Sequence, residues 1–285
     1  MGVLIKPQAD QAGGILRPVA VTPETAGWQY VSFAVYHLTR GQTLRGAADG
    51  RETALVVLSG IGRAELNGQP VGQVGERLSV FEDRAPYALY LSEDASYQVE
   101  CTSDNMEVAV ASAPTTHQHL PARVVRPEEV SVELRGEGNA QRRVQHILDT
   151  DQAAERLIIV EVITPAGNWS SFPPHKHDTE NPPYEAYLEE TYYHRVSPDD
   201  GFAFQRVYSE DFDETVAVHD GDLVLVPKGF HVVSAPPGFD LYYLNIMAGP
   251  HRAWNYQVDP AFHRLLSASG KITGSIVYPS AKRAQ

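Results

Sequence analysis

Short apolar runs recur along most of the chain, each cut off by glycine, proline or aspartate: TALVVLSG, RLSVF, YALYLS, YQVECT, EVAVASA, RLIIVEVIT, ETYYHRV, AFQRVY, ETVAVH, DLVLVP and DLYYLNIMAG. Runs of about 5 to 8 residues rich in valine, tyrosine and phenylalanine, bounded by turn formers, predict the strands of a sandwich or barrel. Helical periodicity is scarce. PEEV near residue 128 and DPAFHRLLSAS near the C-terminus are the only fair helix candidates, and both are short. The expected class is therefore all-β.

The pattern also repeats. ETALVVLSGIGRAELNG followed by GERLSVFEDRAPYALYL in the first half matches EETYYHRVSPDDGFAFQRVY followed by GDLVLVPKGFHVVSA in the second. Each half runs glutamate, strand, turn, strand, then glycine, an acidic residue, an apolar strand, proline and another strand. Two tandem antiparallel barrels of jelly-roll type fit this order. Residues 1–115 are assigned to a first barrel and 146–285 to a second. The polar, strand-poor stretch 116–145 is read as a linker. The strand glutamate repeats as Glu52 in the first half, with no histidine pair before it, so that barrel is expected to hold no metal.

Composition narrows the setting. Of 285 residues, 42% are hydrophobic, enough for a substantial core, and the formal net charge is -13. An acidic exterior argues against nucleic acid and anionic membrane as partners, while leaving room for a locally basic pocket. No run is apolar enough to span a bilayer, and the N-terminus lacks the apolar segment of a signal peptide. The single cysteine, Cys101, lies in a strand-like run and reads as a small core residue. With no disulfide to form, a reducing, cytoplasmic location is expected.

Chemistry concentrates between Asn168 and His231. In FPPHKHD, His175 and His177 are one residue apart. On a strand such residues share a face, roughly 6.5–7 Å apart at Cα, and both imidazoles reach one ion. Glu190 opens the strand ETYYHRV, and His231 follows the turn in PKGFH. Three imidazoles and a carboxylate suit one divalent transition metal: Zn, Mn, Fe, Ni or Co. Glu189 must face away from Glu190 and is expected in solvent. His194 shares the Glu190 face; His219 is expected to be exposed. The second histidine pair, His117 and His119, has no strand or distant carboxylate beside it and reads as a solvated pair.

The order of these motifs resembles the metal motifs of cupins. Within cupins, WSSFPPHKHD, YLEETYYHRV, GFAFQRVY, VPKGFHVVSAPPG and DLYYLNIMAGP resemble the 5-deoxyglucuronate isomerase family, bicupin enzymes of inositol breakdown. The likeness is specific from about Arg142 to Trp254 and looser in the first half. The loop from His177 to Glu190 is longer than in a generic cupin, as in this narrower family, while Val232 stands where the family is expected to carry proline. The resemblance implies that His175, His177, Glu190 and His231 are metal ligands, and that the reaction converts 5-deoxy-D-glucuronate to 5-dehydro-2-deoxy-D-gluconate. Other cupin enzymes, such as a related uronate isomerase or a dioxygenase, and a non-catalytic sugar-binding bicupin are the rival readings.

An aldose–ketose isomerase moves hydrogen between C1 and C2 of an open-chain sugar, and a divalent ion polarises the carbonyl or stabilises an enediolate. Glu161, an acid within the apolar run IIVEVIT, is the candidate proton carrier. Tyr192, Gln205 and Tyr243 are candidate inward residues for catalysis, and Asn245 for substrate hydroxyls. A sugar acid also calls for a cation, with Arg206 and Arg252 first and Lys176 and Lys228 behind them. On a regular strand Lys176 points out of the barrel. The expected partner is a small sugar acid; the sequence leaves a homo-oligomer open, since bicupins often associate through sheet edges.

Overall fold

A computed structural model describes residues 2–265. It contains four antiparallel sheets arranged as two barrels, each built from a large and a small sheet. The first seven-stranded sheet runs, in spatial order, Arg123–Val125, Ala88–Leu91, Arg51–Ser59, Asn105–Pro114, Ser32–Thr39, Ile15–Val21 and Gln11–Ala12. The second runs Leu4–Ile5, Leu223–Val226, Glu189–Ser197, Asp240–Ala248, Ile158–Thr164, Arg142–Leu148 and Ser131–Arg135.

The two orders correspond strand for strand, with one exchange at the edge. Leu4–Ile5, at the start of the chain, pairs with Leu223–Val226 of the second barrel. Arg123–Val125 pairs with Ala88–Leu91 of the first. Each half thus lends its opening strand to the other. Residues 116–145, expected as a linker, hold this exchanged strand and the edge strand Ser131–Arg135, which pairs with Arg142–Leu148. Their polar sequence reflects edge positions, where one side of the strand meets solvent. PEEV is a short 3-10 turn, Pro127–Glu129, and the C-terminal candidate begins with another, Pro260–Phe262. The end of that candidate, residues 266–269, lies outside the described residues.

Three cores follow from the pleat. Leu55, Leu89, Tyr97 and Val99 fill the first barrel. Ile158, Val160, Tyr192 and Tyr243 belong to the interior of the second. A third core lies between the barrels, where Phe33, Val56, Ile159, Tyr193, Leu244 and Ile246 from the outer faces of both large sheets meet. Strands covered on both faces need no polar alternation, which is why TALVVL and LYYLNIM read as unbroken apolar runs. Cys101 is buried in the first barrel.

Two glutamates lock the barrels together. The Glu189 carboxylate accepts the main-chain N–H groups of Gln29, Tyr30 and Val31 at 2.7, 2.8 and 2.9 Å. Reciprocally, Glu52 accepts those of Glu155, Arg156 and Leu157. Glu189 is therefore fully buried, not in solvent as its phase suggested. Its face of the strand does point out of its own barrel, but that side is covered by the other barrel. The same reciprocity shows that Glu52 corresponds to Glu189 rather than to Glu190.

Candidate metal centre

The four expected ligands converge at one end of the second barrel. His175 and His231 are directly opposite each other on neighbouring antiparallel strands. One ring nitrogen from each of His175, His177 and His231 lies within 4.8 Å of the others. Glu190 closes the cluster: its Oε2 is 3.0 Å from His177 Nε2 and 3.1 Å from His231 Nε2.

The hydrogen bonds orient the rings for an ion. His175 Nδ1 faces the carbonyl of Pro173 at 3.1 Å, His177 Nδ1 that of Leu188 at 3.0 Å, and His231 Nδ1 that of Gly229 at 3.4 Å. An Nδ1–H donating to a carbonyl leaves the Nε2 lone pair free, the usual support for a metal-bound histidine. His231 Nε2 is buried with no hydrogen-bond partner. Two imidazole nitrogens facing one carboxylate oxygen call for positive charge between them, a proton or a metal cation, and with each Nδ1 facing a carbonyl the donor set fits a divalent ion.

The electrostatics agree. Burial would raise the Glu190 carboxyl, but the His231 and His177 imidazoles outweigh it and pull its pKa well below the usual range. Burial, reinforced by His231 and His177, drives His175 far down. For His177 burial works downward too, but the bond to Glu190 wins and raises it. Asn245 Nδ2 donates to the other Glu190 oxygen at 2.5 Å and fixes the carboxylate plane.

A cavity of about 410 Å³ opens beside the cluster, lined by His175, Glu190, Tyr192, Tyr243 and Asn245 among others. Tyr192, Asn245, Tyr243 and His194 sit on facing strands, with Tyr192 opposite Asn245 and His194 opposite Tyr243. The strand Trp169–Lys176 slips register between Ser170 and His175, and Ser171 adopts a left-handed φ of 47°. That irregularity turns two consecutive serines to the same side. Both hydroxyls reach Tyr243, and Ser171 Oγ also lies 2.9 Å from the Tyr192 hydroxyl. Burial raises the pKa of both tyrosines, so they remain neutral hydroxyls.

Other expected site residues lie elsewhere. Glu161 faces the inter-barrel core, where Arg77 of the first barrel grips it with two hydrogen bonds of 2.7 and 2.8 Å and the Tyr242 hydroxyl adds a third. Its strand is central and covered on both sides, and its phase matches Ile159 rather than Val160. Gln205 is buried inside the barrel and bonds His194 Nε2 at 2.7 Å through Oε1, but it does not line the cavity. Arg206 is exposed and paired with Asp213, its guanidinium over the Tyr208 ring. Arg252 donates to the carbonyls of Asp149, Thr150, Gln152 and Leu157. Lys176 points out of the barrel to Asp178 and Glu185, as its alternation implies. Lys228 pairs with Asp211 at the surface. The second histidine pair does meet a carboxylate: His117 and His119 contact the two oxygens of Glu93, a residue brought close by the fold alone.

The cavity's cations are instead Arg142 and Arg135, within the presumed linker. Arg142 opens a strand whose following valine, Val144, also lines the cavity. The in-phase pair of arginine and valine was the available signal.

The chain matches the model of the KduI/IolB family over residues 3–265. It is 50% identical to a 5-deoxy-glucuronate isomerase from Geobacillus thermodenitrificans across 88% of this chain and 90% of that protein. The chain belongs to the KduI/IolB family. It is an isomerase. A second relative of the same name, from Halalkalibacterium halodurans, is 42% identical over 91% of this chain and 97% of that protein. The crystal structure of an IolB-like protein from Salmonella typhimurium LT2 superposes with a TM-score of 0.87 at 41% identity, covering 92% of this chain and 98% of that one. A Bacillus subtilis oxalate decarboxylase variant, 11% identical, matches with a TM-score of 0.63 over 96% of this chain and 85% of its own, a likeness of fold. The KduI/IolB chain is thus two tandem cupin barrels, a bicupin.

Proposed function

We propose that this chain is a metal-dependent aldose–ketose isomerase that converts 5-deoxy-D-glucuronate to 5-dehydro-2-deoxy-D-gluconate. The substrate follows the names of the family relatives. The metal dependence rests on one observation: three imidazoles, each braced through Nδ1, cluster at the wall of the cavity, and two of them, His177 and His231, turn Nε2 to one Glu190 oxygen. His175, His177, Glu190 and His231 would hold the ion. When bound, a divalent cation supplies Lewis acidity to neighbouring carbonyl and hydroxyl oxygens.

The chain's own residues do the rest. Glu190 stays ionised and Asn245 holds its orientation. Tyr192 and Tyr243, kept protonated by burial, offer hydroxyls to the sugar and pass hydrogen bonds to Ser170 and Ser171. The apolar side of the cavity, Val144, Val160 and Val162, limits bulk water near the reacting carbons. A lone buried cysteine supports a reducing, cytoplasmic setting for a pathway of inositol catabolism.

The decisive experiment is metal analysis of the purified protein with an assay on 5-deoxyglucuronate and a panel of other uronates, while oxygen uptake is followed. His177→Ala is expected to lose both bound metal and isomerase activity with the fold intact by circular dichroism. Full turnover by metal-free protein would refute the mechanism. Oxygen consumption in place of isomerisation would favour the dioxygenase alternative.

A further inference from the structure

Arg142 is only 8% exposed, yet it lines the cavity. It donates to main-chain carbonyls, Nη1 to Ala140 at 2.9 Å and Nη2 to Phe172 at 3.1 Å. Among the described residues no carboxylate lies within ion-pair distance of it; Glu133 acts on it only from further off and is itself held by Arg135. A guanidinium has five N–H donors and stays charged in a protein, so buried without a counter-ion it is costly unless a ligand supplies one. Arg135 lines the same cavity. Its Nη2 donates to Glu133 at 2.8 Å, its guanidinium lies 5.7 Å from the Trp254 ring, and its Nε is buried with no partner. Arg206, Arg252, Lys176 and Lys228 are all engaged elsewhere. Tyr256, another lining residue, has its ring 4.7 Å from that of His175, which links this wall to the metal cluster.

We propose that Arg142, with Arg135 beside it, receives the carboxylate of a sugar acid, so that the opposite, carbonyl end of the open chain points to Glu190 and the three imidazoles. This rests on the isomerase reading and adds the polarity of binding to it. Val144 and Val162 flank the arginine on the sheet, where low dielectric strengthens a charge-assisted pair. The cavity then selects anionic sugars although the chain as a whole carries a net charge of -13.

The test compares 5-deoxyglucuronate with its neutral counterpart, in which the carboxylate is replaced by CH2OH, for the native enzyme, Arg142→Lys and Arg142→Gln, with metal content measured for each. Arg142→Gln is expected to lower kcat/KM for the acid about 100-fold, mainly through KM, and for the neutral sugar by less than about threefold, with metal content unchanged. Arg142→Lys falls between. Equal losses on both sugars would mean a structural role, and an unchanged preference for the acid would place the carboxylate elsewhere; either result overturns the proposal. If the native enzyme isomerises neither sugar, the functional reading fails separately. Calorimetric binding of D-gluconate against D-glucitol then decides, and acid preference that survives Arg142→Gln refutes the assignment.

Discussion

Replacing Glu189 by glutamine removes one charge and one acceptor from a fully buried clamp. The native carboxylate takes three consecutive main-chain N–H groups, Gln29 on Oε1 and both Tyr30 and Val31 on Oε2. A hydrogen bond to a charged group contributes about 1.5–3 kcal/mol, a neutral one about 0.5–1.5 kcal/mol. The amide oxygen of glutamine keeps Tyr30 and Val31 at the neutral value, while its NH2 faces the Gln29 N–H, donor against donor. One charged bond is lost and two are weakened, so the expected destabilisation is about 3–5 kcal/mol. Equilibrium urea unfolding, with the slope checked against the native protein, measures it. Metal content should be unchanged, since Glu189 faces away from the histidines. Glu190→Gln should show the opposite profile, with metal and activity lost. Stability of Glu189→Gln within about 0.5 kcal/mol of native, the range of an ordinary surface change, would refute the clamp.

The other predictions follow from the same faces. Arg77→Leu alone strands the buried Glu161 carboxylate and should cost about 3–5 kcal/mol, whereas Arg77→Leu with Glu161→Leu should recover most of it in the same unfolding assay. A folded Glu161→Gln variant should keep the native pH–rate profile, because that carboxylate lies between the barrels; loss of one limb would restore it as a proton carrier. Burial holds the folded His194 pKa down to about 4, while an unfolded imidazole titrates near 6.5. Between those values the unfolded state binds more protons, so stability falls as pH drops through the window. Between pH 7 and 4.5 His194→Gln should lose about 2–3 kcal/mol less than native; equal losses in urea titrations would contradict this.

The cluster of His175, His177, Glu190 and His231 was legible because its signal is local. A strand places His175 and His177 on one face, a strand start offers Glu190, and a turn precedes His231. Each depends on a few neighbouring residues. The errors at Glu189, Glu161 and the second histidine pair share another cause. All three depend on what lies across from a face, and a period of two tells only that two faces exist. The unbroken apolar runs around Glu52 and Glu161 did carry the missing information, since a strand without polar alternation is covered on both sides. Arg206 and Arg252 failed for a different reason. Charge complementarity asks for a cation near the substrate, but alternation cannot say which arginine lacks a partner. Arg206 already has Asp213, and Arg252 has four carbonyls. Arg142 was hidden by the polar sequence around it, which marks the edge of a sheet rather than a connection between domains.

The reciprocal clamps also locate where the two barrels differ. Glu52 and Glu189 do the same work in the two halves, so the next residue on each strand, turned inward, is the point of divergence: Thr53 in the first barrel and Glu190 in the second. Around Thr53 the interior is filled by Leu44, Leu55, Leu89, Leu91 and Val99. Around Glu190 it is left open and polar. Losing the outward residue loosens the pair of barrels, whereas the inward one carries no such load: it is packed over at Thr53 and borders the cavity at Glu190. The first barrel meets this strand from outside only: its main-chain N–H groups hold Glu189, on the face turned away from the histidines, and leave the Glu190 face to the strand's own barrel.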